Sequence, residues 1–141
     1  MNYRRAYIDN SMVFLTIVTS KRRGILVDNI ELLRESYRRV RSEIEFETST
    51  MVVLPDHIHM IIQPREKSSY PEIIKRMKTY FTRGIDTSKM HDYEETESKR
   101  KKHEKDIWQR RYWEHTITNE IEKNDCIDYI HFNPVKHGYV K

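Results

Sequence analysis

One cysteine, three glycines and four prolines are spread over 141 residues, and each scarcity removes a class of chemistry. With Cys126 alone, neither a disulfide framework nor a multi-cysteine zinc site can be built, and a reducing, cytoplasmic setting is expected. Gly24, Gly84 and Gly138 stand far apart, so the sequence holds no Gly-rich phosphate loop and no dinucleotide fingerprint. The G-x-S-x-G elbow and the H-E-x-x-H pair are missing as well. The most apolar stretch, Met12–Val18, is interrupted by Thr16 and falls far short of the roughly 20 residues of a membrane span. The N-terminus shows no apolar signal core.

What the chain does have is charge and rings. Charged residues make up 34%, hydrophobic ones 37% and aromatic ones 11%. That is polar for a globular protein but is not the composition of a disordered chain. The formal net charge of +4 permits a nucleic-acid partner without demanding one. The length is that of a single domain, here 1–141, with one sizeable core.

Patterning predicts the elements. Residues 12–19, rich in Val, Ile, Phe and Thr, read as a strand. Ile30, Leu33, Tyr37, Val40 and Ile44 then recur at three- and four-residue steps, one face of a helix, with Asp28 as its N-cap. Residues 46–54 and 57–63 read as two strands joined tightly by Pro55-Asp56, a hairpin. Pro71 opens a second helix carrying Ile73, Ile74, Met77, Tyr80 and Phe81. Residues 86–105 hold almost no aliphatic side chains and read as a charged loop. A fourth strand follows over 108–117. Asn119 caps a last helix, which Pro134 is expected to end or kink at Asn133. The order β-α-β-β-α-β-α predicts an α+β, ferredoxin-like antiparallel four-stranded sheet with helices against one face.

Three segments carry chemistry. In Pro55-Asp56-His57-Ile58-His59 the two histidines share a strand face, with Cβ atoms about 7 Å apart. Two imidazoles at that spacing can converge on one divalent cation. An isolated H-x-H is more often two ordinary histidines on a half-exposed sheet face, so the motif alone is a weak signal. Asp56 should face away from the pair and act as a turn residue or as a support behind the two rings. In Asp128-Tyr129-Ile130-His131-Phe132-Asn133 a helix places Tyr129 and Asn133 on one face. A tyrosine can act as a nucleophile if its pKa near 10 is helped by a cation or base. Asn133 offers an amide oxygen as a third ligand. The plainer alternative is a packed aromatic and a C-cap. Over residues 99–111, seven basic residues stand against Glu104 and Asp106, a net of +5. Arg110 and Arg111 there are flanked by Trp108, Tyr112 and Trp113, the mixture of charge and flat faces that single-stranded nucleic acid takes. Tyr3-Arg4-Arg5 is a smaller case. A solvated loop and a basic terminus are the bland alternatives.

Together these blocks resemble the REP-associated tyrosine transposases, a branch of the single-tyrosine HUH (IS200-like) transposases. The resemblance runs from Tyr3-Arg4-Arg5 through Leu54-Pro55-Asp56-His57-Ile58-His59 and Ile107-Trp108-Gln109-Arg110-Arg111-Tyr112-Trp113-Glu114-His115. It closes with 128–138, Asp128 to Gly138. It implies that His57 and His59 are the HUH metal pair and that Tyr129 is the nucleophile. Asn133 stands where the third ligand belongs, often Gln in related transposases. It further implies a Mg²⁺ or Mn²⁺ cofactor, a single-stranded DNA substrate with hairpin-forming repeats, and cleavage and rejoining through a 5′-phosphotyrosine. Tyr3, Arg4, Arg5, Arg110 and Arg111 would contact DNA, and the setting would be the cytoplasmic nucleoid. Relatives act as monomers or homodimers. Many continue beyond the point matching Lys141, and the 92–105 stretch is longer than in compact ones. Two other readings remain: a non-catalytic single-stranded nucleic-acid-binding module of ferredoxin-like fold, and a metallonuclease that uses water and leaves Tyr129 idle.

Overall fold

The computed structural model describes residues 11–90 and 105–136. Tyr3, Arg4, Arg5 and the charged residues 92–104 lie outside the described residues, as does the side chain of Asn133. The elements run β1 (Met12–Val18), α1 (Ile30–Glu43), β2 (Phe46–Val53), β3 (His57–Pro64), α2 (Tyr70–Gly84), β4 (Trp113–Ile117) and α3 (Glu120–Lys136).

The strands form one antiparallel sheet in the order β2-β3-β1-β4. That is the ferredoxin-like α+β layout the pattern predicts. β1 and β3 occupy the centre and are largely buried on both faces, because both faces are covered. Alternation sends Val13, Leu15, Ile17, Ile58, Met60 and Ile62 to one side, where they meet Leu33, Val40, Ile73, Ile74, Met77 and Phe81 of α1 and α2. Phe14 and Ile61 point to the other side and pack with Ile117 and Ile130.

The second cluster corrects the expectation that all helices lie against one face. α3 closes the opposite side of the sheet through Ile130, with Cys126 and Ile127 packed beside it. Period alone cannot say which face a helix covers, since both sheet faces are apolar at their centre. Three smaller differences are local. Asn29, not Asp28, flanks α1; its Nδ2 donates to the carbonyl of Ile25 at 2.8 Å. Trp108 makes only an isolated bridge to Thr19, and regular pairing begins at Trp113. The residues between include exposed Arg110 and Arg111, held in no strand. α3 runs on through Pro134 to Lys136 rather than stopping at Asn133. Asn119 caps α3 as expected: its Oδ1 accepts from the Glu122 amide at 2.8 Å. Among the described residues, no helix is long and apolar enough to cross a membrane.

Candidate active site

β3 is the strand that sets the site. Because Ile58 and Met60 face α1 and α2, His57 and His59 face α3. Both imidazoles are buried, at 4% and 3% exposure, so the half-exposed sheet face of the plainer reading does not hold. Their ring centroids lie 4.8 Å apart at an interplanar angle of 84°.

Each ring is held from behind. Thr16, opposite His59 in the β1–β3 register, places its Oγ1 2.9 Å from His59 Nδ1. Asp56 Oδ1 lies 2.6 Å from His57 Nδ1. The expectation that Asp56 turns away is therefore wrong: the tight turn before β3 folds its carboxylate back onto the neighbouring ring. Arg22 closes the chain of contacts, its Nε donating to Asp56 Oδ2 at 3.0 Å. Arg22 and Lys21 adopt positive φ, 52° and 54°, a backbone region that L side chains reach at a cost. Burial pushes the Asp56 carboxyl up. The His57 hydrogen bond and the charges of His57 and Arg22 outweigh it and hold the group below its ordinary value. An ionised Asp56 accepts only, so His57 donates through Nδ1–H, which leaves Nε2 as the lone-pair nitrogen of the neutral ring. A carboxylate behind an imidazole is the arrangement that orients a histidine toward a metal.

α3 brings Tyr129 to this pair. Its ring centroid lies 5.8 Å from that of His59, at 72°, and 6.1 Å from Phe14. Ile130, next in sequence, is fully buried against the sheet and anchors that turn, while Tyr129 stays 49% exposed. Tyr80, on the preceding helix, and Tyr112, in the segment before β4, sit elsewhere. The Tyr80 hydroxyl donates to Glu43 on the α1–α2 side. Tyr112 packs on the α1–α2 core, with Lys78 Nζ 5.5 Å from its ring centre.

Beside the pair, between β4 and α3, lies a cavity of ≈ 500 Å³ lined by Phe14, Thr16, His59, Trp113, Glu122, Asp125, Cys126 and Tyr129. Burial, then Glu122 and Asp125, push the Cys126 thiol up, so it stays protonated and is a poor nucleophile. Among the described residues, no group of three or more His, Cys, Asp and Glu side chains is placed to hold a metal. The described part of the site therefore supplies two imidazoles and a tyrosine. Asn133 lies one helical turn beyond Tyr129 in α3. Arg110 and Arg111 lie exposed just before β4, the edge strand of the site.

Thr16, Arg22 and Asp125 are the residues the motifs did not single out. Thr16 left a trace, as the polar residue inside an apolar strand. Asp125 left none, because a carboxylate on an exposed helix is ordinary.

The comparisons agree with the fold and place the chain in a family. Residues 7–133 match the family described as Transposase IS200 like, and the chain belongs to that family. It is thus an enzyme of DNA cleavage and transfer. It is 38% identical, over 99% of its length and 79% of the relative's, to a Haemophilus influenzae protein assigned to the REP-associated tyrosine transposases. It is 33% identical, over 99% of its length and 75% of the relative's, to the REP-associated tyrosine transposase of Escherichia coli. Among solved structures, a REP-associated tyrosine transposase bound to a REP hairpin superposes with a TM-score of 0.71 at 29% identity, covering 93% of this chain and 70% of that one. A Deinococcus radiodurans protein assigned as a transposase shares the fold, with a TM-score of 0.55 at 19% identity, covering 85% of this chain and 88% of that one.

Proposed function

We propose that this transposase cleaves and rejoins single-stranded DNA beside hairpin-forming repeats, with Tyr129 as nucleophile and a divalent cation, Mg²⁺ or Mn²⁺, as cofactor. The observation that carries the reading is the placement of Tyr129 against His59, 5.8 Å between ring centroids, on the face where the His57 ring lies 4.8 Å from that of His59.

The donor set fits a divalent cation. Two imidazoles point the same way, and each Nδ1 is engaged by an oxygen at 2.6 or 2.9 Å, which fixes ring orientation before any metal arrives. His57 and His59 would hold the ion through their second ring nitrogens, with Asn133 supplying an amide oxygen. A cation there would polarise a phosphate oxygen and draw off charge as the phosphate ester exchanges.

The chain's own residues do the rest. Tyr129 presents its phenol oxygen from a helix clamped to the sheet by Ile130, so attacker and phosphate are oriented before reaction. The new bond joins that oxygen to phosphorus, and the bond from phosphorus to the 3′ oxygen breaks. The phenol's proton is lost, and the 3′ oxygen leaves as a hydroxyl after taking one up. The 5′-phosphotyrosine keeps a phosphate ester, so a second 3′-hydroxyl can displace Tyr129 with no nucleotide cofactor. That suits a chain without a phosphate-binding loop. Arg110 and Arg111, with Tyr3, Arg4 and Arg5, would hold the DNA backbone and the bases at the hairpin foot. The named relatives and the hairpin-bound structural neighbour support that substrate. The experiment is incubation with oligonucleotides from the repeats flanking its gene, scored for a covalent protein–DNA adduct. A phosphonucleotide on Tyr129 is expected. Cleavage without any adduct would instead mean hydrolysis by water.

A further inference from the structure

Trp113 is 54% exposed, yet it is fixed. The Phe14 ring meets it edge-on at 5.2 Å and 81°, and His115 stacks on it at 5.9 Å and 20°. His115 is itself tied to Glu122 of α3, and Glu122 also accepts from Thr118 Oγ1 at 2.9 Å. A large, half-exposed ring that is braced by two neighbours and lines a cavity is suited to stacking, unlike a frayed edge residue.

The sheet register sets its distance from the reaction. Trp113 pairs with Thr16, and Thr16 pairs with His59. The three lie in one row across β4, β1 and β3, so the Trp113 backbone is about 10 Å from that of His59, two strand spacings away. Trp113, His59 and Tyr129 line the same cavity of ≈ 500 Å³, within the size range of small-ligand pockets. Its charged lining consists of Glu122 and Asp125. Carboxylates repel a phosphate but accept from an amine, and Glu122 is already occupied by His115 and Thr118.

We infer that this cavity is a nucleobase subsite: the unpaired base next to the scissile phosphate stacks on Trp113, and the Asp125 carboxylate accepts a hydrogen bond from that base's exocyclic amine. The inference rests on the functional reading above and deepens it. The subsite selects adenine, cytosine or guanine over thymine, which has no such amine. Base–aromatic stacking tolerates any base, so Trp113 supplies affinity and Asp125 supplies the choice.

The test uses the full chain with Tyr129→Phe, so that binding is read without cleavage. Hairpin oligonucleotides from the repeats flanking the gene carry an abasic site at each unpaired position in turn, and affinity is read by fluorescence anisotropy. The expected result is one position, beside the phosphate where the unsubstituted protein forms its adduct, whose abasic form binds about tenfold more weakly. Adding Trp113→Ala should erase that penalty, and Trp113→Phe should keep most of it. Asp125→Ala should leave the abasic penalty and remove the discrimination against thymine at the same position. An abasic profile unchanged by Trp113→Ala overturns the inference, and so does a profile with no sensitive position. Should Trp113→Ala lose all hairpin binding, the pair Trp113→Phe and Trp113→Leu decides: both retaining the penalty overturns stacking, and loss with Leu alone supports it. If Tyr129→Phe binds no hairpin at all, the functional reading falls with the subsite, a result distinct from intact binding without a Trp113-dependent base.

Discussion

The rings of His59 and Tyr129 stand 5.8 Å apart at 72°, although 69 positions separate them in the chain and they belong to different sides of the interface between β3 and α3. His59 is fixed by strand pairing and by Thr16. Tyr129 is fixed by the docking of Ile130. The active site is therefore an interface between sheet and helix, and its geometry depends on that docking.

The metal claim predicts loss of cleavage in EDTA and recovery with Mg²⁺ or Mn²⁺. His57→Ala and His59→Ala should each abolish cleavage. Because both rings are buried and hydrogen-bonded, each variant should also cost stability, about 1–3 kcal/mol from the partner left unsatisfied. Urea denaturation checks the second part, and adduct formation the first. Full activity in EDTA would exclude the metal site.

Asp56 and Thr16 act through the histidines they hold. Asp56→Ala and Thr16→Val should weaken Mn²⁺ binding about 10- to 100-fold, read by calorimetric titration of the protein alone. Unchanged affinity in both would mean that the rings are oriented by packing only.

Much of this was legible in the sequence. The strands and helices follow from periodicity, and the H-x-H and Tyr129 blocks follow from residue type and spacing. The placement of α3 was not, because Phe14, Ile61, Ile117 and Ile130 make a second apolar layer that looks the same as the first in one dimension. Asp56 was misjudged for a related reason. Strand alternation says where a side chain starts, whereas Asp56 sits in the turn before β3, where alternation does not apply. Trp113 was legible as an aromatic beside arginines. Its exposure and its bracing by Phe14 and His115 are products of the β1–β4 register and of the docking of α3.

The α1–α2 side carries a pH-dependent contact. Tyr80 donates to Glu43 at 2.6 and 2.8 Å, with Arg39 4.0 Å over its ring and Arg76 3.2 Å from the same carboxylate. The Tyr80 hydrogen bond leads in holding Glu43 below its ordinary 4.5, and the Glu43 hydrogen bond leads in raising Tyr80 above its ordinary 10.0. A lowered carboxyl contributes stability above pH 4.5 and loses it as pH falls through its folded value. A raised phenol contributes fully below pH 10 and loses it as pH climbs past its folded value. Tyr80→Phe should therefore lower Tm at pH 7, with the gap to the unsubstituted protein closing in acid and in strong base. A gap independent of pH would show that the hydroxyl contributes nothing through ionisation.

DNA binding should be salt-dependent, with log affinity falling about 0.7 per phosphate contact for a single strand as log salt rises. Replacing Arg110 and Arg111 by Ala should flatten that slope by about 1.4 if both meet phosphates. An unchanged slope would place these exposed residues off the DNA path.

The most direct measurement is mass spectrometry of the adduct trapped on hairpin DNA, with Tyr129→Phe beside the unsubstituted protein. Removing one oxygen from a half-exposed ring should leave folding and hairpin binding intact. Cleavage, rejoining and the adduct should disappear together, because one atom serves all three, and the unsubstituted protein should carry its nucleotide on the Tyr129 peptide. A nucleotide found on Tyr80 or Tyr112, with Tyr129→Phe still active, would contradict the account.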